Sequence, residues 1–211
     1  MSAHSKQNTK NEILQAALYL FHTNGFDGTS IRDIAREAKV NSATISYYFK
    51  NKNGLLEYCF VNFLEDYIKI IENEMTQLSV NSADRCLISI FSKLFKFQEK
   101  NFIASRFIIR EMSLDTMLNR EILSTYMAKE KYYLKQVLEY GIKKEIFTKI
   151  NVPSFILQFK GLLNAPFINA YYAKELLHFF PQDSYYMDQY QKQCLHFIKD
   201  HLLTENHKMK I

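Results

Sequence analysis

Small side chains with hydrogen-bonding groups are concentrated in the short stretch 41–48. The predicted outward face of a helix in this stretch carries three hydroxyl residues, Ser42, Ser46 and Tyr47, and the small Ala43. Hydroxyl groups donate and accept hydrogen bonds at base edges, and an alanine methyl group fits against a thymine methyl group. Because small side chains allow close approach, this pattern predicts a helix that reads the major groove of DNA.

Cationic and hydroxyl side chains flank this stretch on both sides. Tyr48 is its last residue, Lys50 and Lys52 follow it, and we expect all three to lie beside the groove against phosphates. Ser30 stands at the predicted start of the preceding helix, where the helix dipole favours an anion, and Arg32 can reach either a phosphate or a base. The alternative is that the two lysines are merely solvated and that Tyr48 packs on the first helix.

Three short helices are predicted to position these residues. The first has an apolar stripe at helical spacing, formed by Ile13, Ala16, Ala17, Leu20 and Phe21. It should end at Asn24-Gly25, a left-handed stop signal. Ser30 and Asp33 form a capping box that begins the second helix, and Asn41 is a suitable N-cap for the third. The second and third helices, joined by a turn of about four residues, form a helix-turn-helix.

The composition predicts an all-α protein that is not a membrane protein. Only five glycines and three prolines occur in 211 residues, whereas the two types together average about 12% of a protein. No apolar run approaches the roughly 18 residues of a membrane span. The net charge is +5, but residues 1–59 hold only seven basic against five acidic side chains. Binding to DNA must therefore come from the placement of charges and not from their excess.

Neither the cysteines nor the histidines form a pattern typical of catalysis, metal binding or a cofactor. Cys59, Cys86 and Cys194 are far apart and contain no C-x-x-C pair, which favours a reducing, cytoplasmic location. His196 and His201 are five positions apart, about 140° around a helix, so they do not share a face. We therefore expect no metal, no cofactor and no enzymatic activity. We also expect the protein to be associated with the nucleoid.

The rest of the chain is predicted to be a second helical domain. Apolar positions keep helical spacing from Lys52 to Leu78, so a long helix would join a domain of residues 1–51 to one of residues 52–211. Further helices are predicted over 83–100, 101–112, 114–146, 152–179 and 184–203. Pro166 interrupts the fourth of these, and we expect a kink or break there.

The N-terminal residues resemble the TetR family of bacterial DNA-binding proteins. The similarity rests on Ile13 to Phe21, Asn24-Gly25-Phe26, Gly28 to Ala35, and Tyr47 to Lys52 with Leu55-Leu56. It implies a three-helix DNA-binding domain and a C-terminal helical domain for dimerisation and regulation. It also implies homodimers whose C-terminal helices pair, the candidate interface being the helices over 152–203, with each third helix reading half of a palindrome.

The full set of residues expected to bind double-stranded DNA combines the pattern with the resemblance: Ser30, Arg32, Asn41, Ser42, Ala43, Thr44, Ser46, Tyr47, Tyr48, Lys50 and Lys52. Two positions depart from the family pattern. Ser46 replaces the usual aromatic residue, and Ala43 replaces the usual glycine or lysine. The DNA sequence that is recognised therefore does not follow from the resemblance.

Segments of the C-terminal half are similar to the RefZ proteins, a TetR-family group of spore-forming Firmicutes. They are residues 106–111, 120–132 and 153–166. This resemblance implies a regulator of cell division that acts on FtsZ during chromosome capture in sporulation. The candidate surface for that partner is a group of charged residues: Arg106, Arg110, Glu111, Asp115 and Arg120. The alternative is that these side chains form local ion pairs along their helices.

The aromatic residues of the C-terminal half leave one further alternative open. They either fill a core and a dimer interface or line a pocket for a small molecule. In the second case the protein would be a ligand-responsive repressor of a neighbouring gene.

Overall fold

The computed structural model describes residues 3–79, 82–114 and 117–205. Over these residues the chain forms ten α-helices: α1 (Ala3–Asn24), α2 (Ile31–Glu37), α3 (Ser42–Phe49), α4 (Lys52–Met75), α5 (Ala83–Lys100), α6 (Phe102–Met112), α7 (Met117–Lys143), α8 (Val152–Ile168), α9 (Ala170–Leu177) and α10 (Ser184–Leu202). The predicted all-α class is confirmed, because the described residues contain no strand and a single isolated β-bridge. In the same residues, no helix combines the length and the apolar character needed to cross a membrane.

The described residues cluster into two compact units. The first lies within Met1–Glu65 and Ile103–Leu123, and the second within Asp66–Phe102 and Ser124–Ile211. This grouping differs from the predicted division after residue 51, because it places part of α4 and nearly all of α6 with the N-terminal helices.

The first unit has a small apolar core to which every N-terminal helix contributes. The fully buried residues include Ile13, Phe21, Ile34 and Ile45. Phe107 of α6 is also fully buried, and its ring stacks on that of Phe21 at 5.5 Å between centroids. The stop predicted for α1 is confirmed, since the helix ends at Asn24 and Gly25 adopts φ +79°.

Stacked phenylalanine rings fill the core of the second unit, where α5 contacts α8 and α10. Phe91 and Phe95 lie one turn apart on α5, with ring centroids 6.1 Å apart. Phe159 meets Phe91 edge to face at 5.2 Å, and Phe167 lies 6.1 Å from Phe95. All four side chains are at most 1% exposed, and burial of each stabilises the unit by about 1.5–3 kcal/mol.

Pro166 lies inside α8 and does not end it. A proline has no N–H group, so it leaves the carbonyl four residues earlier without its helical donor. That carbonyl belongs to Leu162, and it accepts a hydrogen bond from the Tyr190 hydroxyl of α10 at 2.8 Å. Helix α8 therefore continues to Ile168, and the break predicted at Pro166 occurs at Asn169, between α8 and α9.

Gly141 allows the chain to fold back after α7. A Cβ atom at this position would lie 2.1 Å from the Phe147 ring. Phe147 is buried and forms the isolated bridge with Leu203. The Thr148 N–H also donates to the carbonyl of Leu202 at 2.8 Å. The end of α10 is thus attached to the loop that follows α7.

We expect Gly141→Ala to destabilise the protein by about 1–3 kcal/mol, since the added methyl group would lie 2.1 Å from a buried ring, which must shift. The matched control is Gly161→Ala, also in a helix, where a Cβ atom meets nothing within 4 Å. The control should be neutral or stabilising by up to about 1 kcal/mol. Urea unfolding followed by circular dichroism measures both, and equal stabilities for the two variants would contradict the close approach of Phe147.

Candidate nucleic-acid interface

The predicted capping box closes the start of α2. The Ser30 hydroxyl accepts a hydrogen bond from the Asp33 N–H at 3.2 Å. In return the Asp33 carboxylate accepts from the Ser30 N–H at 3.1 Å and from the Ser30 hydroxyl at 2.5 Å. These hydrogen bonds, together with Arg36 at 2.7 Å, lower the pKa of the Asp33 carboxyl group below its usual value. A phosphate at Ser30 would meet this ionised carboxylate, whereas Arg32 on the same turn is exposed to solvent.

The turn between α2 and α3 is a Schellman motif with a lysine in the left-handed position. Lys39 has φ +54°. Its N–H donates to the carbonyl of Arg36 at 3.2 Å, and the next N–H, of Val40, donates to that of Ala35 at 2.9 Å. Glycine is the usual residue in this position, and a side chain there costs roughly 1 kcal/mol. The turn is held in place by the helices on both sides of it.

Helix α3 has a buried face and an exposed face, as its sequence predicts. The Asn41 side chain accepts a hydrogen bond at 2.9 Å from the N–H two residues later, so the predicted N-cap is confirmed. Ile45 and Phe49 are buried in the first unit. The residues expected to face bases are the exposed Ala43, Ser46 and Tyr47 and the half-buried Ser42 and Thr44. No acidic side chain occurs on this helix, so its exposed face does not repel phosphates.

Lys50 ends α3 in a γ-turn with positive φ. Its backbone has φ +66° and ψ −59°, and the Asn51 N–H donates to the carbonyl of Phe49 at 2.8 Å. A γ-turn of this hand is rare and strained. Asn51 then caps the start of α4, because its side chain accepts from the Gly54 N–H at 2.9 Å. The Lys50 side chain is exposed at the end of α3.

The Lys52 ammonium group is bound to the turn between α1 and α2. Its Nζ donates to the carbonyls of Phe26 at 2.9 Å and Thr29 at 3.1 Å. It also lies 4.3 Å from the centroid of the Phe26 ring. We call this set of contacts the Lys52 clamp. An ammonium group has three donors, so the clamp leaves one of them for a phosphate.

Thr29 is a structural residue that the sequence pattern did not identify. It is 1% exposed, and its hydroxyl lies 2.8 Å from the carbonyl of Gly25 and 3.2 Å from that of Leu20. It thus ties the end of α1 to the start of α2, and its own carbonyl accepts from Lys52. A threonine next to the N-cap Ser30 looks like an ordinary loop residue, so no local signal could have indicated this role.

Tyr48 is half-buried and does not lie on the fully exposed face of α3. Its ring centroid is 5.1 Å from that of Tyr47, which is 75% exposed, and 6.0 Å from that of Phe49. The ammonium group of Lys10, on α1, lies 5.5 Å from the Tyr48 centroid. Tyr48 therefore contacts α1, as the alternative expects, and its ring also adjoins the exposed ring of Tyr47.

The residues of the candidate partner surface have different environments. Arg110 donates to the carbonyl of Phe21 at 3.4 Å, and its guanidinium lies 5.7 Å from the Phe107 ring. Its Nε lies 3.4 Å from a carboxylate oxygen of the mostly buried Glu111. The remaining three differ: Arg106 is half-buried, Arg120 is exposed, and Asp115 lies outside the described residues.

Arg110 and Arg106 also affect His22 at the end of α1. Burial, and then the positive charges of these two arginines, lower the pKa of His22 below its usual value. Neutral imidazole is thus the favoured form at this end of α1. Over the described residues, no three His, Cys, Asp or Glu side chains come together in a group that could hold a metal ion.

The comparisons with known proteins agree on one family. Residues 13–59 match the family described as bacterial regulatory proteins, tetR family. A relative from Bacillus subtilis (strain 168), the probable HTH-type transcriptional regulator YttP, is 38% identical over 194 residues, which cover 92% of this chain and 94% of that protein.

Solved structures share the fold over nearly the whole chain. The ketosteroid transcriptional regulator KstR2 of Mycobacterium tuberculosis matches with a TM-score of 0.77 and 17% identity over 93% of this chain and 95% of that one. The transcriptional regulator FadR of Bacillus subtilis, solved in complex with stearoyl-CoA, matches with a TM-score of 0.68 and 19% identity over 87% of this chain and 96% of that one. Together with the extent and identity of the match to YttP, the N-terminal match shows that this chain belongs to the TetR family and is a TetR-type transcriptional regulator.

Proposed function

We propose that this protein binds palindromic DNA sites as a homodimer, with α3 of each protomer in the major groove. The observation that carries this proposal is the exposed face of α3, which presents Ala43, Ser46 and Tyr47 on a helix fixed at both ends. The Asn41 cap fixes its start, and the γ-turn at Lys50 fixes its end. A rigid helix with small polar side chains and no acidic residue is suited to base edges. In this scheme residues 1–51 bind DNA, and residues 52–211 carry dimerisation and regulation.

Phosphate contacts flank this helix in the proposed complex. Lys50 and Arg32 are exposed cations, and Lys52 contributes the donor that its clamp leaves over. Tyr48 contributes its hydroxyl group. Ser30 has the weakest support of the set, since its hydroxyl already donates to Asp33.

Substitutions on the two sides of α3 should have different effects on DNA binding. Ser46→Arg should change which sequence is preferred, by about 1–3 kcal/mol at the contacted base pair, since its side chain is exposed on the base-reading face. Tyr48→Ala and Lys52→Ala should weaken binding to all sequences and lower its salt dependence. Selection of duplexes from a random library measures the first effect, and fluorescence anisotropy over a salt series measures the second.

Lys52→Ala also removes the clamp, so thermal unfolding must be measured beside affinity. Lys50→Gln is the control, because it removes an exposed charge that has no part in the clamp. If Tyr48→Ala, Lys52→Ala and Lys50→Gln all bound DNA as tightly as the unmodified protein, this docking of α3 would be refuted.

Exposed apolar side chains on α8, α9 and α10 support the proposed homodimer. Helix α9 buries its alanines, Ala170 and Ala173, and exposes its large residues. More than half of each of the following side chains is exposed: Leu157, Ile168, Tyr171, Tyr172, Leu176, Leu177, Tyr185 and Phe197. Monomeric proteins rarely expose an apolar patch above about 600 Å², and a stable interface buries about 800 Å² per partner. We propose that a second copy of the chain covers this surface.

Disruption of this surface should separate the protomers. The double variant Tyr171→Glu with Leu176→Glu should weaken dimerisation by about 100-fold or more, since two charges would replace apolar interface side chains. Lys174→Gln on the same exposed helix is the matched control. Sedimentation equilibrium gives the dimer dissociation constant of each protein. A double variant that stays dimeric at the concentration of the control would exclude α9 from the interface.

The finer proposal is a RefZ-like role in cell division, with FtsZ as the protein partner. It is supported by the resemblance of the C-terminal segments noted in the sequence and by the exposed charges of Arg110 and Arg120. Arg110 also holds the end of α1, so partner binding at this residue would act directly on a DNA-binding helix.

The ligand-responsive repressor is the alternative proposal. FadR, a structural neighbour, was solved with stearoyl-CoA. In this chain a ligand between α5, α8 and α10 would have to displace phenylalanine rings that are at most 1% exposed. A ligand at that position would therefore require repacking of the core.

Sequencing of genomic DNA captured by the purified protein separates the two alternatives. A RefZ-like protein should capture a few palindromes spread over the chromosome and unrelated to promoters, and should then bind FtsZ. A single captured site upstream of its own or an adjacent gene would contradict that role and favour the repressor. A search for metabolites that raise the melting temperature and release DNA would follow in that case.

A further inference from the structure

Helix α1 extends well beyond the part of it that forms the core. Its apolar stripe begins at Ile13, but the helix begins at Ala3, and the residues between are polar apart from Ala3. Lys10 lies in this N-terminal extension, one turn before the core begins. Its side chain is half-buried.

Lys10 reaches the aromatic rings at the end of α3. Its Nζ lies 5.5 Å from the centroid of Tyr48 and 5.9 Å from that of Tyr58 on α4. An ammonium group above an aromatic face is attracted by the negative charge of that face. These two rings therefore hold the Lys10 ammonium group close to the C-terminal end of α3.

The positive charge of Lys10 is not neutralised by this contact. Among the described residues, no carboxylate forms an ion pair with Lys10, and the nearby Glu12 accepts a hydrogen bond from Asn8 at 3.0 Å. A contact with a ring also leaves the three N–H donors unused, in contrast to Lys52, whose clamp engages two carbonyls. The Lys10 ammonium group is thus positioned by the rings while its charge and its three N–H donors remain available.

We propose that Lys10 contacts the phosphodiester backbone of DNA, so that α1 is a DNA-contacting element beside α2 and α3. The inference rests on the proposed function. Tyr48, on which Lys10 lies, adjoins the exposed Tyr47, with 5.1 Å between ring centroids. A phosphate that lies along the end of α3 would therefore be near Lys10, whose ammonium group lies 5.5 Å from the Tyr48 centroid, and near the exposed Lys50, two residues after Tyr48. Because the contact is with the backbone, it raises affinity for every sequence.

The test is the salt dependence of DNA binding by the full-length protein. Lys10→Met keeps the apolar stem of the side chain on the rings and removes the charge, and Lys10→Arg keeps both. Lys192→Gln, an exposed lysine on α10, is the control for net charge. Affinity for a random-sequence duplex and for a selected palindromic duplex is measured between about 50 and 200 mM salt.

For Lys10→Met we expect weaker binding to both duplexes and a slope of log K against log salt that is smaller by about 0.9 per protomer, or about 1.8 per dimer. Lys10→Arg and Lys192→Gln should keep the slope of the unmodified protein. Thermal unfolding of each variant shows whether the fold is retained, and Lys10→Arg supports the contact by rescue if Lys10→Met is less stable.

Two results would overturn the proposal while leaving DNA binding by α3 intact. Weaker binding with an unchanged slope would mean that Lys10 only positions Tyr48, and unchanged binding would mean that it plays no part. If the unmodified protein bound neither duplex, the proposed function itself would fail, and this inference with it.

Discussion

The hydrogen bonds from the Lys52 ammonium group to the carbonyls of Phe26 and Thr29 connect the parts of the DNA-binding unit. The lysine is the first residue of α4, and the two carbonyls belong to the turn between α1 and α2. Hydrogen bonds from a charged donor are each worth about 1.5–3 kcal/mol. The clamp thus links the two ends of the helix-turn-helix, and the orientation of α3 between them depends on it.

Cationic side chains have two different roles in this unit. Some positive charge stabilises the fold, as at Lys52 and at Arg110, which donates to the end of α1. Other positive charge stays available at the surface, as at Lys50. Two lysines with positive φ, Lys39 in the turn before α3 and Lys50 directly after α3, carry backbone strain. Strained residues of this kind persist where the surrounding structure fixes them and where a side chain must have one defined position.

The second unit buries only some of its aromatic side chains and leaves others exposed to solvent. Phe91, Phe95, Phe159 and Phe167 fill the interior. Helix α9 turns its small residues inward and its large ones outward, which is the reverse of the pattern of an ordinary surface helix. Such a helix is stable in water when another surface covers it, and this is the physical reason for the proposed second copy.

The sequence by itself determined the features whose partners lie within a few residues. The stop at Gly25, the capping box of Ser30 and the cap at Asn41 each depend on contacts over at most four positions, and all three occur as predicted. The two faces of α3 also follow from helical periodicity alone. The all-α class followed from composition, because a chain so poor in glycine and proline lacks the residues for many tight turns.

Only the tertiary structure decided which distant groups meet. Lys52 is 26 residues from Phe26 in the chain, and Phe107 is 86 residues from Phe21. Pro166 was predicted to break its helix, but Tyr190 of α10 supplies the missing donor to Leu162. The sequence shows that a lysine is cationic and that a proline lacks an N–H group. It does not show which distant group contacts the lysine or replaces the missing donor of the proline. That choice is made when the helices pack, because packing brings together side chains and carbonyls that periodicity treats as independent.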